Sequence, residues 1–235
     1  MANPLSEADL KRDLAFACRI LGTEGHADNI FGHVSARLAG TDRFWMKPAR
    51  LGLEEIRPAD LLLVDFDGQV HAGSLQLHEE YPIHAEVFRV RPDVTCVVHT
   101  HPPYSIAFAA RDAPLRPVSH EGSFFWPPDV PIFDRFTDLV RTAEQGRLVA
   151  DALGSGAALF LRNHGIVVAH ETIPEAVWAA LSLERAARLQ LLAQPSPDTL
   201  LLHTPEEEAR QKRGGIWSPA RAQAVFDYYV RKVRG

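Results

Sequence analysis

EEYPIHAEVFRVRPDVTCVVHTHPPYS, residues 79–105, changes its hydrophobic period once, and that change sets the fold. Over residues 79–90 the pattern is helical. Arg91-Pro92-Asp93 stops it, because a proline disfavours helix in the residue before it. Residues 94–98 are then an apolar run of strand length, ending in His99-Thr100-His101-Pro102-Pro103. Residues 104–110 predict a short helix.

Working upstream, Ser6 stands three positions before Asp9, and Leu10, Leu14, Ala17, Cys18 and Leu21 recur at helical spacing, predicting an amphipathic helix over 6–21. A turn-like stretch, 22–29, leads into HVSARL (33–38), where Val34, Ala36 and Leu38 alternate with His33, Ser35 and Arg37 as in a strand. Residues 44–46 read as its antiparallel partner, Pro58–Asp60 starts a further segment, and LLLVDFDGQVHAG (61–73) places Asp67-Gly68 as a hairpin turn.

Working downstream, the proline-rich stretch 113–131 reads as irregular chain near a surface or pocket, and 139–153 as a helix. AALFL (157–161) and IVVA (166–169) read as strands around Arg162-Asn163-His164-Gly165. Thr172-x-x-Glu175 has the form of a capping box, opening a helix to about Leu192. A polar stretch, 195–212, and an aromatic tail, 217–233, follow. The fold class expected is α/β: one domain over 1–235, with 195–235 as a C-terminal extension and a mainly antiparallel sheet covered by helices.

Composition bounds the function. The 235 residues carry 25 basic and 30 acidic side chains, a net charge of −5, with 46% apolar and 23% charged residues. That describes a soluble globular chain with enough apolar residues for a core, and excludes disorder and collagen-like repeats. Basic residues are scattered, which argues against nucleic acid or an anionic membrane surface as partner. Cys18 and Cys96 alone cannot build a disulfide framework and are expected in the core, in a reducing compartment. With an acidic start and no apolar run approaching ~18 residues, the expected location is cytoplasmic.

Eleven histidines carry the chemical signal. Residues two apart on a strand point to one side, so His99 and His101 at a strand end either aim two imidazoles at one metal ion or form a hydrogen-bonded pair. His164 in its tight turn is either a third ligand or a turn residue. Three neutral nitrogens leave an open coordination position, and a carboxylate must then serve as fourth ligand or proton carrier. Glu79 and Glu80, opening the helix before the His99 strand, fill that role or are ordinary first-turn charges.

Together these motifs resemble the class II aldolase/adducin family over about residues 8–193, and the resemblance implies a three-layer α/β/α domain. It implies that His99, His101 and His164 bind a divalent metal. It also implies that Glu80, nineteen residues before His99, is the acid/base and occupies the metal when substrate is absent. His84 stands where the family often has a histidine, on the same helix face as Glu80.

Two departures bear on substrate. Sugar-phosphate aldolases of this type have a Gly-Asn loop before the first strand and two serines before the glutamate; this chain has Gly32-His33 and His78-Glu79. The hydroxyls are missing and the Glu79 carboxylate would repel phosphate. His33 is a partner for a substrate carboxylate or hydroxyl, or a structural hydrogen bonder. PLRPVSHEGSFFWPPDVPIFDRFTDLV (114–140) resembles the family branch that decarboxylates hydroxylated aromatic or pyridine dicarboxylates. There His120 and Glu121, with Phe124, Phe125 and Trp126, suit a hydroxyaromatic acid, or pack over the core or a subunit interface. Lys47, Arg50 and Arg116 are candidates for a second carboxylate.

The activity expected is therefore decarboxylation of a hydroxylated aromatic or heteroaromatic acid. Glu80, its pKa raised by burial, would carry the proton. The resemblance favours manganese, with zinc, iron or cobalt also fitting three imidazoles, and implies a homotetramer in which Phe226, Tyr228 and Tyr229 reach a neighbour. An aldolase or epimerase acting on a non-phosphorylated hydroxy acid or sugar acid is the alternative; a non-catalytic adducin-like module would be expected to lack the ligands.

Overall fold

The computed structural model describes residues 6–111, 113–196 and 198–234. Its centre is one eight-stranded sheet. Strands β1 (His33–Arg37), β2 (Arg43–Met46), β3 (Leu62–Asp65), β4 (Val70–Ala72), β5 (Cys96–Thr100), β6 (Ile132–Phe133), β7 (Ala158–Leu161) and β8 (Gly165–His170) lie in the order β4-β3-β2-β1-β5-β8-β7-β6. Every pairing is antiparallel except β6 with β7. At the β3–β4 turn Gly68 has φ +87°, a left-handed conformation that glycine adopts without strain.

Helices cover both faces. On one lie α1 (Glu7–Leu21), α3 (Pro103–Ala109), α4 (His120–Phe125), α6 (Ile173–Ala193), α7 (Glu206–Ile216) and α8 (Pro219–Arg234); on the other lie α2 (Tyr81–Val90) and α5 (Ala143–Leu153). Strand alternation feeds both layers. Val34, Ala36, Cys96 and Val98 pack under α1 and α6, whereas Val97, Leu159 and Val167 pack under α2 and α5. Each fully buried Phe or Leu side chain contributes about 1.5–3 kcal/mol relative to exposure, so two such layers explain why both faces of the sheet are apolar.

Several boundaries differ from the sequence reading. The α5 helix begins at Ala143, not at residue 139, because Thr142 caps it by accepting from Gln145 N–H, which leaves residues 139–142 as loop. Stretch 113–131 contains α4, capped by Ser119, although its six residues are too few to show a period. Strand β6 has only two residues and was not read for the same reason. Thr172 caps α6 as expected, but the Glu175 carboxylate faces the Thr172 hydroxyl and His170 and leaves the cap amide alone. The C-terminal segment packs back on the domain through α7 and α8. Phe226, expected to reach a neighbour, is 2% exposed in this chain's own core; Tyr229 packs beside it and Tyr228 stays exposed.

Where α2 crosses α5, Gly146 allows a close approach: a Cβ there would stand 2.5 Å from the Pro82 carbonyl oxygen. Gly146→Ala is therefore expected to push α2 away and destabilise the protein by about 1–3 kcal/mol, read as a lowered Tm. An unchanged Tm would show that the crossing can relax.

Candidate metal centre

The cross-strand register assembles the site. His33 on β1 is directly opposite His99 on β5, and both face the α2 layer. One residue beyond β5 comes His101. The β7–β8 turn, Leu161 opposite Gly165 with Asn163 at φ +56°, places His164 beside the end of β5. Glu80 precedes α2 directly. One donor atom from each of Glu80, His99, His101 and His164 lies within 4.8 Å of every other, a spacing suited to a shared ion.

Hydrogen bonds orient these rings. His99 Nδ1 is 2.9 Å from the Ile166 carbonyl oxygen and His101 Nδ1 is 3.2 Å from Asp28 Oδ2; each donates there, so each turns its Nε2 toward the site. Those two Nε2 atoms are 3.1 Å apart. His164 Nε2 is buried without a partner and 3.6 Å from Glu80 Oε1. Ring nitrogens that converge beside a carboxylate, one of them orphaned, are satisfied by a cation, so the donor set fits a divalent metal. Burial, then the neighbouring imidazole of His99, lowers His101 to about 4 and His164 to about 3, leaving both neutral ligands near pH 7.

Glu80 is 1% exposed. Its Oε1 accepts from Val140 N–H at 2.9 Å, and Oε2 lies 3.6 Å from His99 Nε2 and 3.8 Å from His33 Nε2. Burial alone would raise its pKa, as expected from sequence. The side chains of His33 and His99 outweigh that and hold the carboxyl well below the usual carboxylate range. At rest Glu80 is a carboxylate, which corrects the expectation of a raised pKa.

Behind this centre is a buried chain of polar contacts. His33 Nδ1 meets His84 Nε2 at 2.6 Å, and His84 Nδ1 meets Ser35 Oγ at 2.6 Å. The polar side of β1, His33 and Ser35, is thus sealed against α2. His84 has no exposed surface, so the structure places it as a support for His33 and not as a substrate contact.

Other proposed contacts are placed elsewhere. Lys47 is fully buried, with Nζ donating to the carbonyls of Ile30 and Pro48, and burial lowers it to about 8; it ties two loops together and cannot meet a substrate. Arg50 remains exposed on a loop that Ala49 N–H ties to the Gln76 carbonyl, just before His78. His120 and Glu121 lie on α4, across the sheet from the metal ligands. Glu121 pairs with Arg185 at 3.0 Å, and His120 and Glu121 line a small pocket with Phe124, Trp178 and Trp217. Phe124 stacks on Trp217, Phe125 is core, and Arg116 covers Trp126 while pairing with Asp129 at 2.7 Å. Within this chain these residues build the α4–α6–α7 packing, not the site. Glu79 turns outward to Arg141 at 2.8 Å, so the repulsion expected of it is neutralised there.

Asp28, Val140 and His78 were not read as site residues. Asp28 and Val140 are 73 and 60 residues from the groups they touch, and no local pattern marks them. A carboxylate on the outer nitrogen of a ligand histidine raises its basicity, so Asp28→Ala is expected to weaken divalent-metal affinity by roughly 10–100-fold. Competitive titration with a chelating dye measures it; affinity within about twofold of wild type would show that water replaces Asp28.

Comparison with known proteins identifies the family. Residues 12–191 match the family described as Class II Aldolase and Adducin N-terminal domain. The chain is 34% identical over 203 residues to the 3,4-dihydroxyphthalate decarboxylase of Arthrobacter keyseri, covering 80% of each. It is 32% identical over 182 residues to the Meiotically up-regulated gene 14 protein of Schizosaccharomyces pombe, covering 76% of this chain and 70% of that one. The L-fuculose 1-phosphate aldolase from Glaciozyma antarctica PI12 superposes with a TM-score of 0.85 at 25% identity, over 99% of this chain and 93% of that one. Among the described residues no helix is long and apolar enough to cross a membrane. With its sheet order, its four converging donors and these relatives, the chain belongs to the class II aldolase and adducin family, among its carbon–carbon lyases.

Proposed function

We propose that the protein is a divalent-metal-dependent decarboxylase of a hydroxylated aromatic or heteroaromatic carboxylic acid, with the hydroxyl ortho to the departing carboxylate. The observation that carries this reading is the Glu80 carboxyl beside three imidazoles, one donor atom from each within 4.8 Å of every other. The decarboxylase among the relatives supports the choice of reaction.

His99, His101 and His164 would hold the cation, manganese by preference, with Glu80 as the fourth donor before substrate arrives. A divalent ion there supplies Lewis acidity toward the substrate's hydroxyl and carboxylate oxygens. Glu80, a carboxylate at rest, takes the proton of the ring hydroxyl. The bond between ring and carboxylate then breaks, carbon dioxide leaves, and the electron pair stays in the ring. Glu80 returns its proton to that ring carbon, which balances the step. Val140 N–H holds Glu80 Oε1, and exposed Arg50 would attract an anionic substrate.

The test is carbon dioxide release from ortho-hydroxylated phthalates and pyridine dicarboxylates by manganese-loaded protein. Release is expected from at least one compound. Its absence from all, with metal bound, would transfer the assignment to retro-aldol or epimerase chemistry on a non-phosphorylated hydroxy acid, which needs the same acid/base. The assembly that goes with this reading is a homotetramer in the cytoplasm, checked by light scattering and cell fractionation.

A further inference from the structure

The metal ligands are not held alike. His99 lies within β5, paired on both sides, to His33 of β1 and to Val167 of β8. His101 stands one residue beyond the last paired position, Thr100 opposite Ile166, so the sheet ladder does not fix its backbone. Downstream come Pro102, Pro103 and α3. A proline ring locks φ at about −65°, and a residue before proline is confined to extended backbone, so the stretch from His101 to the first turn of α3 has little slack. Whatever holds the start of α3 therefore holds His101.

Helix α3 has no local cap. Ser6, Ser119, Thr142 and Thr172 cap the helices that follow them, α1, α4, α5 and α6, whereas the residue in that position before α3 is Pro102, whose side chain has no acceptor. The missing acceptor comes from α6. Glu184 Oε1 accepts from Tyr104 N–H at 3.0 Å, and its Oε2 accepts from Ser105 N–H and from the Ser105 hydroxyl, both at 2.7 Å. With Pro103 lacking an N–H, these are the first two amides of the helix. One turn further along α6, the Arg188 guanidinium lies 5.1 Å from the centre of the Tyr104 ring. Two consecutive turns of one long helix thus grip the start of α3, across 79 and 80 residues of sequence at Glu184.

We propose that Glu184 is a positioning residue of the metal centre, acting through the start of α3 on the place of His101. This rests on the metal reading of Glu80, His99, His101 and His164, and not on the choice of reaction. His101 then has two carboxylates behind it. Asp28 turns the ring through Nδ1, and Glu184 sets the backbone that carries the ring. A loosened clamp lets His101 drift from the other three donors, and an ion that depends on four converging atoms is then bound less tightly.

The experiment is calorimetric binding of manganese to wild type, Glu184→Gln, Glu184→Asp and Thr172→Ala. Thr172→Ala controls for stability: it removes the cap of α6 itself, beyond the end of β8 opposite to His164. Glu184→Gln and Thr172→Ala are both expected to lower Tm by a few degrees. Only Glu184→Gln should bind manganese less tightly, by about tenfold, because its side-chain NH₂ faces groups that need an acceptor. Its cobalt-loaded form should show a shifted visible absorption, which reports coordination geometry. Glu184→Asp keeps a carboxylate one methylene short and should fall between wild type and Glu184→Gln; it carries the test if the amide variant does not fold. Wild-type affinity in the Glu184 variants that fold, or equal losses in Glu184→Gln and Thr172→Ala, would overturn the positioning role. A wild type that binds no manganese would instead overturn the metal reading, and the positioning role with it.

Discussion

His99→Ala is expected to abolish divalent-metal binding and to cut carbon dioxide release by on the order of 10³-fold. His99 is fully buried, shares the densest contacts of the site with His101, His164 and Glu80, and is the ligand whose tautomer the β5–β8 pairing itself sets through Ile166. Loss of the ring also leaves that contact unmade and opens a cavity, so a fall in Tm accompanies it. Metal content after reconstitution, measured by mass spectrometry beside the Tm, separates the effects. A folded variant that retains stoichiometric metal would remove His99 from the centre.

Glu80→Gln should behave differently. The amide oxygen can still accept from Val140 N–H at the position of Oε1, so fold and metal content are expected to survive. The group that takes and returns a proton is gone, and turnover should fall by about 10²–10⁴-fold. Full metal with turnover lost assigns Glu80 to proton transfer. Unchanged turnover would show that another group, or water, carries the proton. Because the resting carboxyl is already ionised, the loss should appear across the neutral pH range and not only on one limb of the profile.

Both expectations rest on residues that were visible before any coordinates. Local pattern carries α1, α2, α6 and the central strands, because burying one stripe of a helix demands an apolar repeat over ten or more positions and a buried strand demands an apolar run or alternation over four to six. The His-x-His pair, the Asn-His-Gly turn and the glutamate nineteen residues upstream are equally local marks. A strand of two residues, β6, and a helix of six, α4, span too little of their own period to be read and exist because neighbours hold them. The same limit explains the aromatic run 124–126: its composition suits a flat substrate, yet the stack of Phe124 on Trp217 is made by residues 93 positions apart.

By itself, then, the sequence determined the layered α/β architecture, the three imidazoles and the carboxylate that meet at its end. Only the tertiary structure decided the state of each group. It buried His84 and Lys47, withdrew Phe226 into the core, turned Glu79 to Arg141, and ionised Glu80 against the pull of burial. The reason is that a residue's identity supplies its possible protonation states and contacts, whereas burial and the partner on each nitrogen choose among them, and those partners come from distant strands and loops.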